Sequence, residues 1–547
     1  MEKDVIDTNT DEKITSKAEV ISEIEEDLAI RQQRRRMFPR AALVGLCAGL
    51  VASFFRIVLA GGDTIRTQLI EWSHRFPTLG WIFPLMFTAT GAVLSVFFVR
   101  RFAPETAGSG IPHLEAVLHR LRTLNWKRVL PVKFIAGALA IGGGLTLGRE
   151  GPTVQMGGAI GAAISTWLKV LPRERRSLIA AGAGAGLAAA FNAPLAGVIF
   201  VLEEIQRDFH PFVFGAAFLA AAIADIVSRL LSGAFPVFSI PSYPTPPPES
   251  LVFFAFLGIF TGILGVAFNR SLLGTMNQFA RIQVKKSGAY LLAAGIGGLI
   301  GLAGWFYPLI IGGGHAIAET ALDGDIALIA IPVLFLVRFF FTTSSYATGA
   351  AGGIFAPLLA LGSLLGLAVG QVAHGFFPNV VPIPAVFAVV GMAAYFTAIV
   401  RAPLTGIVLI VEMTGNYQQM LPLLVACFFA YAVAELLKDV PIYEALLERD
   451  LVRDHADLKL KEPMVIDLLV EDEAPFAGQE VRSLGLPPGC VLVRCTRSGH
   501  SFVPTAMTAL EPHMRITAVI APEAAHALTI LRRGCKRRQI SAESAHQ

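Results

Sequence analysis

Gly148-Arg149-Glu150-Gly151-Pro152 interrupts a run, Phe134 to Ala163, that otherwise carries no charged residue. Two adjacent charges in an apolar segment are costly at membrane depth unless they are paired, hydrated or turned toward a pathway. The glycines and the proline break one helix and start another. A helix start leaves backbone N–H groups free at the positive end of the dipole. A carboxylate held there plugs an anion site, and it leaves when it is protonated. For these five residues alone, the alternative is a tight helix–helix turn with a buried ion pair.

The surroundings decide for the membrane. The chain has 547 residues, 54% hydrophobic and only 16% charged, and its mean hydropathy is +0.61. Soluble chains carry about 25% charged residues. Runs such as Gly80–Val99 and Gly288–Phe306 are long enough to cross a bilayer. The expected class is an all-α polytopic membrane protein. The formal net charge of +4 is spread over loops and tails, so no nucleic-acid partner is expected. Cys47, Cys427, Cys490, Cys495 and Cys535 show no paired CxxC spacing and read as structural, reduced residues. No cleavable signal peptide is expected. Met1–Ile30 is polar and acid-rich, with a short amphipathic helix predicted over Glu19–Leu28. Arg34, Arg35, Arg36 and Arg40 adjoin the first apolar run, Met37–Gly61, which places the N-terminus in the cytoplasm.

Further along, Gly108-Ser109-Gly110-Ile111-Pro112 is a second glycine-flanked break, followed by a helical pattern over Leu114–Leu121. The Ser109 hydroxyl can donate to an anion without adding charge, or it can cap its own helix. His113 and His119 are spaced wrongly for shared metal ligation and read as interfacial. Gly184-x-Gly186-x-x-Ala189 matches a dinucleotide fingerprint, but no strand precedes it, so close helix packing is the better reading. Ala193-Pro194-Leu195-Ala196-Gly197 leads into an aliphatic run ending at Glu203-Glu204, one acid facing water and the other the interior.

The proline-rich stretch Gly233–Glu249 divides the apolar part, and the second half repeats the first. Ala193–Gly197 returns as Ala402-Pro403-Leu404-Thr405-Gly406, each copy followed by a Glu, Glu203 or Glu412. Pro152, Gly157 and Gly161 return as Pro357, Gly362 and Gly366. Paired interrupted helices in two halves point to a transporter site near the midplane. The counterpart of the opening stretch, Gly352-Gly353-Ile354-Phe355-Ala356-Pro357, has no charge and offers the N–H groups of Ile354 and Phe355, with Phe355 as a screen from water. Asp439-Val440-Pro441-Ile442-Tyr443-Glu444 begins the last membrane-associated helix. Tyr443 either presents its hydroxyl inward or anchors at the interface.

Gly108–Pro112, Gly148–Pro152, Gly353–Pro357 and the Tyr443 region together resemble the four signatures of the CLC chloride channel and transporter family, in the same order, over about residues 37–449. The resemblance implies an inverted-repeat fold and a homodimer with one anion pathway per subunit. It implies a transporter rather than an enzyme, with chloride and protons as the transported ions and no cofactor. Chloride would be held by Ser109, Gly110, Arg149, Gly151, Ile354, Phe355 and Tyr443. Glu150 would be the external gate and proton acceptor, and Glu204 would pass protons from the cytoplasmic side. Ser109 fits a chloride-preferring member, since nitrate-preferring relatives tend to have proline there. H⁺/Cl⁻ antiport is the expected function. A passive chloride channel of the same family is the near alternative, which Glu204 disfavours. An intramembrane serine protease using Ser109 is the remote one, and Ala107 breaks its motif.

The resulting division is 1–36 as a cytoplasmic segment, 37–232 and 250–449 as the repeats, and 233–249 as an extracytoplasmic connector. After it come 450–461 as a linker, 462–534 as a small α/β domain and 535–547 as a basic tail. Short β-type runs over Met464–Val470, Cys490–Cys495 and Ile516–Ile520, with a helix over Glu523–Leu531, resemble the TrkA-C lobe of potassium-uptake proteins. Such a lobe implies ligand sensing or a dimer contact. The expected setting is the bacterial inner membrane, with both termini cytoplasmic.

Overall fold

The computed structural model describes residues 8–207, 211–233, 237–238, 240–241, 243–453, 463–497, 500–524 and 526–536. Most of the expected linker and of the basic tail therefore lies outside the described residues, as do parts of the proline-rich stretch. The chain forms two compact units, Met1–Leu118 with Leu124–Ala445, and His119–Thr123 with Leu446–Gln547.

The large unit is helical. Its first half holds α1 (Thr8–Ser73), α2 (Ile82–Phe102), α3 (Ile111–Leu118), α4 (Trp126–Gly137), α5 (Glu150–Trp167), α6 (Pro172–Phe191), α7 (Pro194–Phe200) and α8 (Pro211–Ser232). Its second half holds α9 (Leu251–Gln283), α10 (Lys286–Phe306), α11 (His315–Asp323), α12 (Ile331–Ala347), α13 (Phe355–Phe376), α14 (Ala385–Val400), α15 (Pro403–Thr414) and α16 (Met420–Leu436). The helix α17 (Ile442–Arg453) follows. Seven helices among the described residues are long and apolar enough to cross a membrane. Two expectations are corrected. The helix after Ser109 ends at Leu118 rather than Leu121, and Arg120 turns the chain with φ 62°. The stretch Glu19–Leu28 is no separate helix but part of α1, whose side chains are described only from Arg35.

The repeat seen in sequence is a repeat of packing. In the first half, a Cβ at Gly157 would strike the Gly182 carbonyl, and one at Gly161 the Leu178 carbonyl, so α5 and α6 touch backbone to backbone. In the second half, Gly362 and Gly366 meet the carbonyls of Gly391 and Phe387 in the same way, joining α13 to α14. Without a hydrophobic drive between helices in lipid, such close approach supplies the van der Waals energy. These four helices form the buried centre; every residue of α14 is buried.

The two halves also cap each other. Glu203 accepts N–H bonds from Leu404 (3.0 Å) and Thr405 (2.7 Å) at the start of α15. Glu412, on α15, accepts from Leu195 (3.1 Å) and Ala196 (2.8 Å) at the start of α7. Each acid satisfies orphan N–H groups that a helix start cannot pair internally. Glu203 is thus committed to the opposite repeat rather than simply turned toward water.

The small unit carries β1 (Met464–Leu469), β2 (Cys490–Arg497), β3 (His500–Phe502), β4 (Arg515–Ile520) and α18 (Ala527–Cys535). The sheet is antiparallel in the order β1-β4-β2-β3. Leu492, Ile516, Ala518 and Ile520 are buried, as are Leu528, Leu531 and Cys535 of α18. The sequence pattern missed β3, three exposed residues without an apolar face.

Candidate functional site

Three interrupted segments are tied together by backbone hydrogen bonds. Gly148 and Gly353 exchange a pair, N–H to carbonyl, at 2.6 and 2.7 Å. Gly108 donates to the Ala350 carbonyl at 3.0 Å and accepts from Gly352 at 2.9 Å. The two signature loops of the first half therefore both lie against the loop that opens α13. Glycine is needed where they touch. An ideal Cβ on Gly151 would lie 2.7 Å from the Ser109 Cβ, and one on Gly353 would lie 3.1 Å from the Gly151 nitrogen. Gly110 has φ 81° and packs on the Gln155 side chain.

Glu150 begins α5 and is buried. Its carboxylate reaches the opposite half and accepts the Ala356 N–H at 3.3 Å. It lies over Gly148, where any Cβ would collide with it. Arg149, its neighbour, stands 3.8 Å from the other carboxylate oxygen and donates to the Ala190 carbonyl at 3.4 Å. The helix start of α13 thus engages Glu150 through the Ala356 N–H, one residue beyond Ile354 and Phe355. Ile354 and Phe355 are fully buried, and the Phe355 ring packs against Phe191, Phe200 and Phe396.

On the other side of the loops, the Ser109 hydroxyl accepts from the Ile111 N–H at 3.3 Å and lies 3.4 Å from the Tyr346 hydroxyl. Neither of these partners is a general base. Tyr443 is fully buried, and its hydroxyl has no partner among the described residues. A buried polar group without a partner is rare and marks a place for a ligand or water. Tyr346, the neighbour of Ser109, is buried as well. The interfacial-anchor alternative for Tyr443 fails on its burial.

Glu204 lies on a π-helical turn, Val201–Ile205, that follows α7. Such turns are frequent at functional sites because they rotate side chains out of the regular helical register. Glu204 is buried and its Oε1 has no partner among the described residues. Together with Glu203 and Arg207 it lines a cavity of about 300 Å³.

Three supporting residues escaped the sequence reading. Lys133 is fully buried, and its Nζ donates to the carbonyls of Thr106 (2.9 Å) and Gly108 (2.7 Å), bracing the Ser109 loop. Tyr346 contacts Ser109 as described. Gln155 donates to the Glu105 carbonyl at 2.9 Å and lies 3.3 Å from His113 Nδ1. His113 is therefore buried rather than interfacial. A lone lysine in an apolar run and the polar cluster Thr342–Tyr346 were the available signals.

Comparison with known proteins places the chain in a family. The family profile described as voltage gated chloride channel matches residues 91–435, and a TrkA-C domain matches residues 465–530. The H⁺/Cl⁻ exchange transporter ClcA of Vibrio parahaemolyticus is 42% identical over 418 residues, covering 76% of this chain and 90% of the relative. A slow cyanobacterial Cl⁻/H⁺ antiporter, solved by X-ray crystallography, superposes with a TM-score of 0.74 at 38% identity, covering 77% of this chain and 99% of that one. A eukaryotic CLC transporter shares the fold at 23% identity, with a TM-score of 0.67, over 82% of this chain and 78% of its own. The chain belongs to the voltage-gated chloride channel (CLC) family and carries a TrkA-C domain at its C-terminal end.

Proposed function

We propose that this protein is a H⁺/Cl⁻ antiporter, and the observation that carries the proposal is the buried Glu150 carboxylate on the Ala356 N–H. A halide needs the donors that this carboxylate occupies. Protonating Glu150 removes its charge and its claim on the helix start, and chloride then takes its place. One site held by either ion moves the two in opposite directions. A second, central chloride sits among neutral donors: the Ser109 and Tyr443 hydroxyls and the N–H groups of Ile354 and Phe355. Gly110 and Gly151 let the loops approach closely, and Arg149 adds positive potential. Neutral donors hold the halide weakly enough for it to leave. Chloride is the substrate, and no cofactor enters the cycle.

Glu204, buried beside a cavity, carries protons between that cavity and the interior. It favours antiport over a passive channel. The relatives named as H⁺/Cl⁻ exchangers support the same choice. The protein works as a homodimer in the bacterial inner membrane with both termini in the cytoplasm. Residues 37–232 and 250–449 form its repeats and 233–249 the connector between them. The TrkA-C domain regulates transport through a small ligand or a dimer contact. The deciding experiment uses liposomes: an imposed chloride gradient should drive protons uphill. Chloride flux with no proton movement would leave the channel reading in its place.

A further inference from the structure

Arg207 is a cation at the inner end of the site that the antiport cycle above leaves without a role. It follows the π-helical turn bearing Glu204 and takes a left-handed backbone conformation, φ 53°. Its Nη1 lies 3.2 Å from Glu444 Oε2, and its Nη2 lies 3.8 Å from Glu115 Oε1. Glu115 is buried on α3, the helix that starts two residues after Ser109. Glu444 directly follows Tyr443 in the first turn of α17. One guanidinium thus bridges the two elements that carry the inner hydroxyls. The same side chain lines the cavity beside Glu204. The charged and titratable groups around Glu204 are Arg207 and Glu203 from its own segment, Glu115 from α3, Tyr443 and Glu444 from the first turn of α17, and Arg401, which lines the same cavity. Those facing Arg207 are Glu204, Glu115 and Glu444.

We propose that Arg207 is a positioning residue that couples the proton on Glu204 to the inner chloride gate. When Glu204 is charged, it attracts Arg207 across their shared cavity while the guanidinium stays paired with Glu444 and Glu115. When Glu204 takes up a proton, its pull on Arg207 and its repulsion of Glu115 and Glu444 are both lost, so the guanidinium holds those two acids more closely and draws α3 and the first turn of α17 together across Ser109 and Tyr443. The chloride exit tightens while a proton is inside, and that is what keeps an exchanger from leaking both ions together. A planar fork is suited to this task, because two of its donors can hold two acids at once. The inference rests on the reading of Glu204 as a proton carrier.

The test is Arg207→Gln in liposomes, with chloride and proton fluxes recorded together at several internal pH values. The protons moved per chloride should fall about two- to fivefold, the scale of a partly exposed ion-pair network. The internal-pH dependence of chloride flux should flatten. Arg207→Lys should recover part of both. Glu444→Gln should shift both readings the same way, and the double variant should add little to either single change. Wild-type coupling and an unchanged pH profile in Arg207→Gln would overturn the proposal, as would additive effects in the double variant. Should Arg207→Gln fail to fold, Glu444→Gln carries the same readings. If the wild-type chain moves no protons, the antiport reading fails. The bridge is then judged by the chloride profile alone, and an unchanged profile overturns it.

Discussion

Replacing Glu150 by Gln keeps the shape of the gate and removes its charge. In the structure the carboxylate is held by the Ala356 N–H at 3.3 Å and by Arg149 at 3.8 Å. A hydrogen bond to a charged group is worth about 1.5–3 kcal/mol. The Arg149 pair, long and partly exposed, adds at most about 0.5 kcal/mol. A neutral amide gives up most of this hold, so chloride competes for the Ala356 donor with an advantage of about 2–3 kcal/mol, roughly 30- to 150-fold in affinity. Two assays follow. Calorimetry should show chloride binding tightened on that scale. Flux in liposomes should show chloride still moving while proton movement is abolished, because Gln takes up no proton. Uphill proton pumping by Glu150→Gln would refute the reasoning, and so would a chloride affinity within about twofold of wild type.

Glu204→Gln should abolish proton transport and leave calorimetric chloride binding intact; lost binding would mean that Glu204 belongs to the anion site instead. Ser109→Pro removes both the hydroxyl and the N–H that reaches Tyr346, and an anion competition assay should show preference moving from chloride toward nitrate. Gly366→Ala drives a methyl into the Phe387 carbonyl. It should cost about 1–3 kcal/mol and lower the melting temperature in detergent. Gly375→Ala, on the same helix with nothing within 4 Å, should leave stability unchanged or slightly raised.

Much of the site was legible because its residues are costly or conformationally special. Glu150 stands out as a charge in an apolar run. Gly148, Gly151 and Gly353 stand out as breaks; a carboxylate or another backbone leaves no room for a Cβ at the first two, and at Gly353 a Cβ would press on the Gly151 backbone at 3.1 Å. The paired Gly157/Gly161 and Gly362/Gly366 spacings are visible as periodic small residues, and both sets pack on a neighbouring helix. Other features left little trace. Ala356 contributes a backbone N–H, and any residue type carries one. Tyr346 and Lys133 act from elements far along the chain from Ser109, at distances that only folding sets.

The amino-acid order by itself determined a membrane-spanning helical chain in two related halves, with a small α/β domain after them. Those features follow from local hydropathy, helix breaks and repeated spacing. Only the tertiary structure decided that Glu150 answers to Ala356 of the other half, that Glu203 and Glu412 cap each other's repeats, and that Arg207 joins α3 to α17. Each of these is a contact between segments distant in sequence. Hydrogen bonds and charge pairs act over a few ångströms, and their partners are fixed by how the helices pack rather than by either segment's own composition.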